Sequence, residues 1–148
     1  MTDGTSANEK LDRIVAEFSD LDPRERLELL LDFAENLPPL PAKYQAERDA
    51  GMNRVVECQT PVFIWVELVD GKLQLYADVA PEAPTVKGFV GILVDALSGT
   101  DPRSALGTPL DLLKRLGLAD ALGMVRARGL SAVQHYIRRL VEKALANR

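Results

Sequence analysis

Few side chains in this chain can do chemistry alone. It has one cysteine, Cys58, and one histidine, His135. A thiolate is a strong nucleophile, so the sole thiol sets the first question. Cys58 stands in "NRVVECQTPVFIW", beside Glu57, Gln59 and Thr60 and just ahead of an apolar run. Pro61 restricts the backbone before it. This is the pattern of a loop at the start of a strand, where a thiol can be presented to a partner. The competing reading is a small buried hydrophobe, a frequent fate of free cysteine. Arg54 would favour the thiolate and Glu57 would oppose it, which leaves the acidity of the thiol open.

Several chemistries lack their residues. One cysteine makes no intramolecular disulfide and no CxxC redox pair. One His and one Cys are too few for an ordinary zinc site, and the carboxylates show no calcium-loop spacing. No GxSxG, P-loop or dinucleotide fingerprint is present. A Cys58–His135 dyad is the only nucleophile–base pair of its kind on offer. His135, however, falls with Ser131, Arg138, Arg139 and Glu142, away from the apolar stripe of its helix, where a solvated surface role suits it. Gly88 and Gly91 form a GxxG, but in an apolar helix without the basic flanks of a nucleic-acid clamp. With a net charge of −4, bulk attraction to phosphate is no basis for function. No apolar run reaches membrane-spanning length, and "MTDGTSANEK" lacks a basic region followed by an apolar one. The expectation is a cytoplasmic protein, in a compartment that keeps a lone thiol reduced.

The elements that must position Cys58 follow from periodicity. At 148 residues the chain reads as one domain: a frayed tail over residues 1 to 7 and a single domain over residues 8 to 148. A helix is expected over about Asn8 to Phe18. Asp22-Pro23-Arg24-Glu25 is a capped helix start, and Leu27, Leu30, Leu31 and Ala34 give that helix its buried face. "LPPLP" ends it. A short helix is expected over Ala42 to Ala50. The period then changes to two. Val62, Ile64, Val66 and Leu68 alternate with Phe63, Trp65 and Glu67, and Asp70-Gly71 is a hairpin turn. The turn sets Leu68 opposite Leu73, Val66 opposite Leu75, Ile64 opposite Ala77 and Trp65 opposite Tyr76, so the second face also needs cover. Two strands alone are marginal, which predicts a third near Arg54 to Val56. An apolar helix follows over about Thr85 to Leu97, in which Gly88 and Gly91 imply close packing on a neighbour. Asp101-Pro102 and Thr108-Pro109 are further helix starts. A last helix over Met124 to Ala146 carries a stripe of Leu130, Val133, Ile137, Leu140, Val141 and Ala144. The fold class is α+β: a small antiparallel sheet of about three strands packed with several helices.

"NRVVECQTPVFIW" resembles the cysteine loop and following strand of the SufE-type sulfur acceptors, the Fe–S metabolism-associated domain. "TVKGFVGILVDAL" is similar to that family's Lys-Gly helix. "LDLLKRLGL" follows in the family's order, and "VRARGLSAV" is similar to its Arg-x-x-Gly-Leu segment. The resemblance spans about residues 11 to 145. Two features depart from the pattern: Glu57 replaces the usual glycine before the cysteine, and a longer, proline-bearing "VAPEAPT" replaces a short Ser-Asp-Ala segment.

The resemblance implies a SufE-like fold and a protein that acts with a cysteine desulfurase rather than as a stand-alone enzyme. The desulfurase, which holds the pyridoxal phosphate, takes sulfur from L-cysteine as a persulfide. Cys58 would accept that sulfur, stimulate the desulfurase, and pass the sulfur to Fe–S scaffold proteins. No cofactor or metal is implied in this chain. Arg54, Lys87 and Arg126 match family positions that support the loop or partner surface, and ordinary surface cations would look the same; Glu57 is grouped with them by its place beside the thiol. Monomer and homodimer both stay open. Two rivals remain: a thiol enzyme using Cys58 and His135 on a small substrate, and an adaptor in which the thiol has no role.

Overall fold

Asp70 and Gly71 both take positive φ, +54° and +79°, as a two-residue hairpin turn requires. The turn joins β1 (Val62–Val69) to β2 (Lys72–Val79). The strands pair antiparallel with Ile64 opposite Ala77, Trp65 opposite Tyr76, Val66 opposite Leu75 and Leu68 opposite Leu73, the register expected from the alternation. The computed structural model describes residues 6–147, and among these the hairpin is the whole sheet. The third strand expected at Arg54 to Val56 is reduced to one bridge, Arg54 to Phe63. The reason is local. Asn53 takes φ +59°, and the Cys58 N–H turns back to the Val55 carbonyl at 3.1 Å, so extended backbone fails on both sides of the bridge.

Three helices precede the hairpin: α1 (Ala7–Ser19), α2 (Pro23–Glu35) and α3 (Ala42–Asp49). Four follow it: α4 (Pro84–Leu97), α5 (Pro102–Leu106), α6 (Leu112–Arg115) and α7 (Ala119–Ala146). The architecture is α+β. Reciprocal capping boxes, Ser6 with Glu9 and Asp22 with Glu25, start α1 and α2 by satisfying free backbone N–H groups. Ser6 and Ala7 therefore belong to the fold; of the tail expected over residues 1 to 7, residues 1–5 lie outside the described residues. Thr108-Pro109 starts no helix. The Thr108 hydroxyl donates back to the Ala105 carbonyl at 2.8 Å, closing α5, and α6 begins at Leu112. The last helix starts earlier than its stripe suggests, but Gly123 breaks it with φ +83°, directly before the expected start at Met124.

The inner face of the hairpin (Ile64, Leu73, Leu75, Ala77) meets α4 and α7. Fully buried Phe18, Leu30, Ile64, Phe89 and Ile92 occupy this core, each worth about 1.5–3 kcal/mol over exposure. α4 lies backbone-close on α2. A methyl added at Gly88 would stand 2.3 Å from the Leu30 carbonyl oxygen, and one at Gly91 would stand 2.5 Å from that of Phe33.

The outer face is covered by α3. Tyr44 stacks on Trp65 with ring centroids 4.9 Å apart and tilts over Tyr76 at 5.5 Å. The Trp65 indole N–H donates to Glu47 at 3.2 Å. The Tyr44 hydroxyl and the Lys43 ammonium both donate to Glu67, and these donors, Lys43 first, hold the Glu67 carboxyl below its usual range. Trp65 is thereby 4% exposed although it faces away from the core.

The α2–α4 contact gives a test. Gly88→Ala and Gly91→Ala each place a carbon against a helix backbone that does not yield. Overpacking costs about 1–3 kcal/mol, so each variant should melt several degrees below the parent. Unchanged melting of both would contradict this contact.

Candidate functional site

Cys58 lies on a loop with a pinned neck. The Val55 N–H donates to the Val62 carbonyl at 2.9 Å, and the Ile64 N–H donates to the Asn53 carbonyl at 3.0 Å. The Asn53 side chain adds a bond to the Ile64 carbonyl at 2.9 Å. Between Val55 and Val62 the loop runs outward: Val56, Glu57, Gln59 and Pro61 are exposed. Cys58 alone turns in from this tip, to 5% exposure. It rests on α7. A methyl added at Gly129 would meet three Cys58 atoms first: Sγ at 3.2 Å, Cα at 3.5 Å and Cβ at 3.7 Å. Cys58 is thus both a loop residue and a buried one.

Burial sets the resting acidity. Loss of water pushes the Cys58 thiol above its ordinary pKa, against the weaker pull of the Thr60 backbone N–H and of the Arg54 charge. Burial thus favours the protonated thiol in this seated arrangement. Glu57 is exposed and its charge acts on Tyr136 of α7. Burial raises the pKa of Tyr136, and the Glu57 carboxylate nearby adds to that rise. Glu57 does not figure among the causes that move Cys58.

The surroundings of the loop are apolar and cationic. Met52 and Val56 on the loop side are 51% and 80% exposed, and Met124 and Val125 on α7 are 72% and 64% exposed. Val125 lies one turn before Gly129 on the same helix face. Arg54 is near enough for its charge to act on the thiol; Arg126 and Arg128 on α7 are exposed, and among the described residues none of the three makes an ion pair. Lys87 stands apart. It lines a shallow groove with Leu31, Ala34, Glu35, Pro81 and Pro84, and no described interaction joins it to the thiol. The proline-bearing segment after β2 does begin beside the cysteine loop, because the Ala80 N–H donates to the Pro61 carbonyl at 3.2 Å.

His135 does not join Cys58. Six residues on from Gly129 it points roughly 240° around the helix, exposed, with Nδ1 2.9 Å from the Ser131 carbonyl. No group of three or more His, Cys, Asp or Glu residues forms a metal-type cluster among the described residues. No described helix is long and apolar enough to cross a membrane. Sequence reasoning met Gly129 only as the glycine of the Arg-x-x-Gly-Leu segment, with no role at the thiol, and passed over Arg128. The signal available for Gly129 was a glycine inside a helical run, where it costs about 1 kcal/mol relative to alanine and so calls for a packing reason.

The thiol's surroundings give a pH prediction. Iodoacetamide consumes the thiolate, and a raised pKa leaves less thiolate at neutral pH. Alkylation of native Cys58 should therefore reach its half-maximal rate above the free-cysteine pKa of about 8.5, and return to that value in denaturant. A native midpoint at or below it would contradict the buried resting state.

Comparison with known proteins gives the family and the fold. The family model of the Fe–S metabolism associated domain, SufE, matches residues 12–141. An uncharacterized SufE-like protein of Mycobacterium tuberculosis (strain CDC 1551 / Oshkosh) is 34% identical over 145 residues, 97% of this chain and 99% of that one. An uncharacterized SufE-like protein of Synechocystis is 32% identical over 108 residues, 73% of this chain and 64% of that one. The solution structure of a hypothetical protein from Thermus thermophilus superposes with a TM-score of 0.81 at 36% identity, covering 93% of this chain and 96% of that chain. With the family model spanning most of the chain, and a relative at this identity matched nearly end to end, the protein belongs to the SufE family of Fe–S metabolism associated domains.

Proposed function

We propose that this protein is a sulfur acceptor. It takes persulfide sulfur from a pyridoxal-phosphate-dependent cysteine desulfurase onto Cys58, relieves the desulfurase of its product, and delivers the sulfur to Fe–S cluster assembly. The observation that carries this reading is the sole thiol, seated out of water on a loop whose neck is pinned and whose tip is largely exposed. A small-molecule enzyme would keep its nucleophile beside a base, and His135 faces elsewhere. A plain adaptor has no use for an inward-turned thiol at the centre of an apolar and cationic rim.

The chemistry is a sulfur-for-sulfur displacement. The Cys58 thiolate attacks the outer sulfur of the desulfurase persulfide. A bond forms between Cys58 Sγ and that sulfur. The bond from that sulfur to the desulfurase cysteine breaks, and its electron pair leaves with the desulfurase thiolate. No net oxidation occurs, as in thiol–disulfide exchange. A second thiol nearby would resolve the persulfide to a disulfide and release sulfide, and Cys58 is the chain's only cysteine. The buried thiol must leave its seat to react, and the loop's exposed tip residues leave it free to do so. The partner supplies the pyridoxal phosphate. Exposed Val56 and Val125, with Arg54 and Arg126, suit a protein surface as substrate rather than a small molecule. A reducing compartment such as the cytoplasm keeps the acceptor thiol available.

Intact mass after incubation with an active cysteine desulfurase and L-cysteine tests the reading. The parent protein should gain sulfur, Cys58→Ser should gain none while still binding the desulfurase, and His135→Ala should behave as the parent. Absence of sulfur on the parent, with the desulfurase turning over, would sink the proposal. Turnover of a small substrate lost on His135→Ala would favour the thiol enzyme.

A further inference from the structure

We propose that Gly129 is the positioning residue for Cys58: its missing side chain is the seat of the resting thiol, and volume at position 129 sets how far the loop stands open. This deepens the sulfur-acceptor reading and rests on that reading only for its consequence in sulfur transfer.

Three observations on α7 and the loop lead here. Gly129 is buried in a helical stretch and takes no left-handed φ that would call for glycine. In a helix interior glycine is the costly choice, by about 1 kcal/mol against alanine. What its hydrogen permits is one contact: the three atoms nearest to an added methyl all belong to Cys58, with Sγ at 3.2 Å. That is inside the usual carbon contact range of about 3.5–4.0 Å.

The contrast with α4 decides which side gives way. Methyls at Gly88 and Gly91 run into backbone oxygens of α2 at 2.3 and 2.5 Å, and a packed helix does not move. At Gly129 the obstacle is a loop tip whose flanking residues, Val56, Glu57, Gln59 and Pro61, are exposed. The neck bonds at Val55 and Ile64 can stay intact while the tip lifts, and the bond given up is that of the Cys58 N–H to the Val55 carbonyl. Leu130 and Val133, the neighbouring core residues of α7, are fully buried and hold the helix in place. A single carbon at 129 therefore makes the loop tip give by a few tenths of an ångström, a larger side chain pushes it further, and the fold stays standing. Displacement returns water to Sγ and weakens the burial that keeps it protonated.

The test uses the full chain with Gly129→Ala and Gly129→Val. For each, the alkylation rate of Cys58 by iodoacetamide is measured from about pH 6 to 10, a range that brackets the free-thiol pKa, with thermal melting alongside. Gly129→Ala should alkylate several-fold faster at neutral pH, with its midpoint shifted down towards free cysteine and its melting temperature near the parent's. Gly129→Val should go further in the same direction. Unchanged rate and midpoint in a folded Gly129→Ala overturn the proposal. So does loss of cooperative melting in Gly129→Ala, because the loop would then be unable to yield. Incubation of parent and Gly129→Ala with desulfurase and L-cysteine separates the two claims. Faster alkylation with no sulfur on either protein supports the seat and refutes the acceptor. Sulfur on the parent with alkylation indifferent to residue 129 supports the acceptor and refutes the seat.

Discussion

A two-stranded hairpin cannot stand alone in water, and this one has apolar or aromatic residues on both faces. The rest of the molecule answers that constraint. Inside, α4 and α7 bury Ile64, Leu73, Leu75 and Ala77. Outside, α3 lays Tyr44 on Trp65 and Tyr76. The two covers differ in kind. The inner one is dry and continuous with the core, while α3 has no buried residue of its own and holds by ring stacking and by hydrogen bonds to Glu47 and Glu67. The cysteine loop lies between these covers. It leaves the end of α3, crosses α7 and enters β1, so both packings fix where the thiol rests.

The same constraint explains the glycines. An α4 that must reach both β2 and α2 needs a thin face, and Gly88 and Gly91 provide it. An α7 that must carry a strand and also receive a loop needs one bare position on the loop's side, and Gly129 provides that. In both places a helix gives up propensity for proximity.

Much of this is legible in the order of residues alone. The alternation from Val62 to Leu68 and the Asp70-Gly71 turn predict the hairpin and every cross-strand pair tested, because a two-residue period leaves one register that buries one face. The caps at Asp22 and Asp101 mark real helix starts. Thr108-Pro109 does not, since the same hydroxyl serves the preceding helix equally well. The third strand fails at Asn53, whose left-handed backbone no apolar pattern announces. Cys58 is legible as the chemical residue because it has no competitor. Its inward turn, the contact with Gly129 and the outward position of His135 depend on which helix face meets the loop, and that is a tertiary relation. Lys87 is readable as a family position, and the fold sets it in a groove with Pro81 and Pro84.

The pinned neck also fixes a length. Cys58 is the third residue after Val55, and a fully extended chain spans at most about 3.3–3.6 Å per residue. The Cys58 Cα is thus on a tether of roughly 10 Å, with the sulfur two bonds beyond it, for as long as the neck stays pinned. Any second sulfur that meets it must come within that radius of the Val55–Val62 bond, and a donor at the bottom of a deeper shaft would stay out of reach.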